Sequence, residues 1–136
     1  MSQASIFAPM GALAFLTFAV LTLIPIRRFR AGALGQIVAD DFKFGESATV
    51  PGHVSIPNRN YMNLLELPML FYVGSLMFFV AGKVDGVVLG VAWVYVALRV
   101  IHSLIHLTYN KVGHRLIPFA LSNLVLLAYW VLFFVR

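Results

Sequence analysis

The chain has 136 residues, 61% of them apolar and only 11% charged, with ten Lys and Arg against five Asp and Glu and no cysteine. Soluble domains carry roughly a quarter charged residues, so this balance, with a mean hydropathy of +0.91, excludes most water-soluble folds and leaves lipid as the solvent. The missing cysteines exclude disulfides, thiolate metal sites and a cysteine nucleophile, and the net charge of +5 is too scattered for a nucleic-acid surface.

The first apolar stretch runs from about Ile6 to Ile26. Its cations, Arg27, Arg28 and Arg30, follow it rather than precede it, the reverse of a cleaved signal peptide, so it is read as a retained span. A long connection rich in Gly, Pro and polar residues, about 27–63, reads as a surface loop. Three further apolar stretches follow, about Leu64–Ala81, Val87–Leu107 and Leu116–Val135. Each is near the roughly 20 helical residues that cross about 30 Å of hydrocarbon, and backbone in lipid must pair internally, so each is a helix. The expected architecture is all-α: one integral membrane domain over 1–136, a four-helix bundle. The short links around Gly82–Gly86 and Asn110–Arg115 force antiparallel neighbours. The long loop and the last link carry seven cations, against Lys83 and Arg136 on the other side. The positive-inside rule therefore places both of those connections in the cytoplasm and both termini opposite.

Ionisable side chains inside a span cost about 2.5–3.5 kcal/mol each on insertion scales, which makes each one a functional candidate. At about 100° per residue, Arg59, Asn63 and Glu66 share one face of the second helix, and Arg99, His102 and His106 share a stripe of the third. Chain alternation brings Arg27, Arg28, Arg59, Asn63, Glu66, His106, Tyr109, His114 and Arg115 to one membrane face. Guanidinium groups around one carboxylate suit a small ligand with several anionic groups, each gripped through paired hydrogen bonds. Structural readings stand beside this one: Arg27, Arg28 and Arg30 as headgroup anchors, Glu66 with Arg99 as a buried ion pair, Asn63 as an interhelical hydrogen-bonding group. His102 and His106 have the i, i+4 spacing of a metal or haem pair but no third ligand on that helix; two satisfied interhelical histidines are the alternative. Pro68 removes a backbone donor and is expected to kink the second helix just past Glu66.

The run from Arg59 to Pro68, RNYMNLLELP, resembles the Arg, three residues, Asn, two residues, Glu pattern of the membrane-associated proteins in eicosanoid and glutathione metabolism (MAPEG). RVIHSLIHLTYNKVGHR, Arg99 to Arg115, is similar in spacing to the stretch of microsomal glutathione transferases joining helices three and four, and RRFR resembles the basic cluster after helix one. The resemblance implies a homotrimer binding glutathione as co-substrate between subunits near the cytoplasmic face, with an apolar substrate arriving from the bilayer. It assigns the tripeptide to Arg59, Asn63 and Glu66, with Arg27 or Arg28, His106 and Tyr109 contributing and Arg99 and His102 in support. Arg115 is the implied thiolate-activating residue, because a neighbouring guanidinium favours the charged form of a thiol. The glutathione transferases of the family tend to carry tyrosine where this chain has His106, with Tyr109 the nearest phenol. The implied activity is thiolate attack on an apolar electrophile or a lipid hydroperoxide. The alternative is a non-catalytic lipid-binding or scaffold member working with a membrane-protein partner.

Overall fold

A computed structural model describes residues 1–136, and all of its regular structure is helical. A turn of 3₁₀ helix, Gln3–Ile6, leads into α1, Phe7–Ala33. α1 continues past the expected end at Ile26, because Arg, Phe and Ala carry no stop signal. The stop is Gly35, at φ +71°. Its N–H reaches the Gly32 carbonyl at 3.0 Å and the Gln36 N–H reaches that of Ala31 at 2.9 Å, a closure that needs a left-handed residue. Arg27, Arg28 and Arg30 therefore sit on the last turns of a helix, not in a loop.

The connection expected over 27–63 is also shorter than the sequence reading has it, since α2 occupies Gly52–Leu65. Its residues are too polar to register as a span, yet Val54, Pro57, Asn60 and Leu64 are buried at helical spacing. Between α1 and α2 the chain folds back over Ala31, Ile37, Val50 and Val54, with Phe42 packed against them. The helix breaks at Glu66 and Leu67, before Pro68, whose missing N–H cannot continue the ladder. α3 resumes at Pro68–Val80.

α4, Gly86–Leu107, begins at Asp85, whose carboxylate accepts the N–H groups of Val87 at 3.0 Å and Val88 at 2.9 Å. α5, Val112–Val135, starts a turn earlier than the expected Leu116. Four segments are long and apolar enough to cross a membrane: Gln3–Ala33, Gly52–Val80, Gly86–Leu107 and Val112–Val135. The chain is a multi-pass membrane protein in contact with the bilayer.

The core is aromatic. Phe71 stacks on Tyr95 with ring centroids 4.8 Å apart, Phe78 meets Tyr129 at 4.9 Å, and the Tyr129 hydroxyl hydrogen-bonds Ser75 at 3.1 Å. Gly74 lets these rings approach, since a Cβ there would lie 3.3 Å from Tyr129 Cε1. One end of the bundle is tied by Gln3, which accepts from the Val84 N–H at 2.8 Å, and by the ion pair of Arg136 with Asp85. The other end holds the Arg27 bond to the His53 carbonyl at 2.9 Å and the polar site below.

Candidate functional site

On α4 the residues Arg99, His102, Ser103 and His106 recur at three- and four-residue intervals and are all buried. The stripe thus faces protein, as its polarity demands. Arg99 is 0% exposed; its Nη2 donates to the Asn63 carbonyl at 3.2 Å and also to Asn63 Oδ1. The break after α2 explains the first bond, because carbonyls in the last turn of a helix have no intrahelical donor and a cation at that end is favoured by the helix dipole. No carboxylate touches Arg99. The ion pairs are Arg28 with Glu46 and Arg136 with Asp85, so the Glu66–Arg99 pair weighed from sequence is not formed.

His102 places Nδ1 2.9 Å from the Arg115 carbonyl oxygen. A carbonyl only accepts, so Nδ1 carries the hydrogen. Nε2 of His102 and Nδ1 of His106 are buried without a partner. These two rings, with Asn63, Val112, Arg115, Leu116 and Phe119, wall a cavity of 210 Å³. Arg115 is half-buried and held by the Asn110 side-chain oxygen. Asn110 occupies the left-handed region at φ +47°, which Asn tolerates, and so turns the chain from α4 into α5. No three His, Cys, Asp or Glu converge anywhere as metal ligands would.

Of the residues singled out from sequence, the single chain gathers Asn63, Arg99, His102, His106 and Arg115. Arg59 and Glu66 lie exposed on the outside of the second span. Tyr109 is exposed too, its hydroxyl 3.1 Å from His114 Nδ1. Arg28 lies 3.7 Å from Glu46 and 4.2 Å over the Phe42 ring. Arg27 lines a different cavity, with Arg30, Gln36 and His53.

Sequence reasoning missed Asn60, Asn110 and Phe119. Asn60 is fully buried, accepts from the Ser103 hydroxyl at 3.2 Å and leaves its Nδ2 unpaired. Its spacing from Pro57 and Leu64 on the buried stripe of α2 was the available signal. Phe119 lies against both His102, at 5.4 Å between ring centroids, and the Arg99 guanidinium, at 5.7 Å. Nothing in the sequence distinguishes it from the other phenylalanines.

A family model described as the MAPEG family matches residues 6–135, nearly the whole chain. No curated protein matches, and no solved structure does.

Proposed function

The chain belongs to the MAPEG family, and from that premise we propose a single-domain membrane glutathione transferase or peroxidase. Its four spans run up and down through the bilayer, and it assembles as a homotrimer. The observation that carries the reading is the cavity joining Asn63, His102, His106 and Arg115, with its unpartnered buried ring nitrogens. Buried polar atoms without partners are costly, and a polar ligand supplies what they lack. The Arg115 guanidinium holds the glutathione sulfur as thiolate without giving up a proton itself. The thiolate then attacks an apolar electrophile arriving through the membrane, displacing its leaving group or adding across its activated double bond. With a lipid hydroperoxide it attacks the distal oxygen, the O–O bond breaks to release the lipid alcohol, and a second glutathione converts the resulting sulfenic acid to glutathione disulfide and water. The ligand brings the thiol that this cysteine-free chain lacks.

At 210 Å³ the cavity is smaller than the roughly 300–1,000 Å³ of ordinary ligand sites. It takes the thiol end; the remainder of the tripeptide lies toward Arg59 and Glu66, where a neighbouring subunit covers it and contributes Arg27 or Arg28. Arg99 supports the site by fixing Asn63, and His102 by fixing the backbone of Arg115; Tyr109 lies at the rim. The active face is cytoplasmic and both termini lie opposite, a placement the cation count favours. Binding to the folded form alone must raise stability, so glutathione is expected to raise the unfolding temperature of the detergent-purified protein. No protection at saturating glutathione contradicts the reading.

His106 supports a second reading, a non-catalytic member that binds lipid or scaffolds a membrane-protein partner. It replaces the phenol with an imidazole whose reach is shorter. A co-purifying stoichiometric partner, together with absent glutathione binding by calorimetry, favours that reading, and conversion of a model electrophile eliminates it.

A further inference from the structure

The cavity between the end of α1 and the start of α2 is separate from the one walled by Asn63, His102, His106 and Arg115, and of its lining residues the reading above draws at most on Arg27. It measures 410 Å³ and is lined by Arg27, Arg30, Ala31, Leu34, Gln36 and His53. We propose that it binds a phosphate-ester anion, and that the anion is the headgroup of an acidic phospholipid.

Charge comes first. Two guanidinium groups and an imidazole face one space that no carboxylate lines. Glu46, the acid paired in this region, is taken by Arg28. The Arg30 side chain makes no hydrogen bond or ion pair within the chain, and Arg27 spends one donor on the His53 carbonyl. The remaining guanidinium donors are free to grip phosphate oxygens in pairs. His53 lies in the first turn of α2, a 14-residue helix whose leading N–H groups and dipole favour an anion. The opposing end of α1 carries only about half a negative charge, which two full cations outweigh.

Depth then selects the source. About 20 helical residues cross the hydrocarbon, and counted from Phe7 they end near Ile26. Arg27 and Arg30 thus stand at the level of lipid phosphates. Beside them Ile26 and Phe29 are 59% and 79% exposed, an apolar flank along which acyl chains can run. Basic pockets between helices at this depth suit acidic headgroups.

The test uses the full chain in a nonionic detergent, with unfolding temperature as readout and phosphatidylglycerol, phosphatidylcholine, inorganic phosphate and glutathione as separate probes. Phosphatidylglycerol is expected to protect, phosphatidylcholine to protect less, and Arg30→Gln to weaken the acidic lipid by about tenfold through loss of charge-assisted bonds. Protection by inorganic phosphate that is also lost in Arg30→Gln supports the same site with a soluble phosphate as its source. Should Arg30→Gln not fold, Arg30→Lys keeps the charge, loses the two-point grip, and is expected to bind at an intermediate level. The proposal is overturned if no phosphate probe protects, if the folded Arg30 variants bind as tightly as the parent, or if glutathione competes with the lipid. That last result would make the cavity part of the glutathione site. Failure of glutathione to protect leaves the proposal standing, because its predicted signal comes from the lipid arm alone.

Discussion

Arg99 brings a full charge into the third span and meets only neutral oxygens there, both from Asn63. Insertion of such a charge costs about 2.5–3.5 kcal/mol, and hydrogen bonds to a charged group return about 1.5–3 kcal/mol each, so the two bonds are enough to offset that cost. Asn63→Leu removes the side-chain acceptor and is expected to lower stability by about 1.5–3 kcal/mol, measured by unfolding in detergent. Unchanged stability would mean that Arg99 does not depend on Asn63. His106 is the residue at which the two functional readings part. If the cavity is catalytic, His106→Tyr is expected to keep or raise turnover of a model electrophile with glutathione; a variant and parent that are both inert, though folded, favour the scaffold reading. Arg99, His102, His106 and Arg115 were legible from sequence because charge and imidazole are conspicuous among apolar residues. Asn60 was not, since an amide beside the more prominent Arg59 carries no charge to mark its burial.

Among the elements, α4 was read almost to the residue because Gly86–Leu107 is apolar apart from one stripe, Arg99, His102, Ser103 and His106. α2 was read as loop because hydropathy registers long apolar runs, whereas α2 is largely polar and buries a single stripe, Val54, Pro57, Asn60 and Leu64, against the protein. The sequence marked the break at Glu66 clearly, since proline acts through its own covalent structure and needs no tertiary context. The contact between α3 and α5 was invisible, because it depends on which face of each helix turns inward. There Gly74→Ala is expected to cost about 1 kcal/mol, as the new methyl meets a Tyr129 ring fixed by its bond to Ser75; thermal unfolding in detergent measures it. At the start of α4 the Val88 N–H, with the Val87 N–H and the Arg136 guanidinium, holds the Asp85 carboxyl below the usual carboxylate range. A pKa lowered by folding adds stability above the unfolded value, about 3.9, and that stability is lost as pH falls through the folded value. The gap in unfolding temperature between the parent and Asp85→Asn is therefore expected near neutrality and should close in acid. A gap independent of pH would assign the effect to something other than the carboxylate.

For the whole molecule, the unpartnered outer faces matter most. Glu66 is exposed on the second span, beside Leu65 and Leu67, which are 47% and 38% exposed. A carboxylate at such a place needs a neighbour other than lipid. In the trimer proposed above, a second copy supplies that neighbour and closes the small cavity into a full site. Native mass spectrometry from detergent is expected to show three chains, and a uniformly monomeric, glutathione-binding protein would contradict the shared site. The number of copies was not legible in the composition or periodicity of one chain, since a helix face turned to lipid and one turned to another subunit are both apolar. The most direct measurement is the ultraviolet difference spectrum of the purified protein on adding glutathione. A thiolate band in the parent that disappears in folded Arg115→Ala is the predicted result. A parent that binds glutathione without the band, or an Arg115→Ala variant that keeps it, contradicts the assignment of thiolate activation to Arg115.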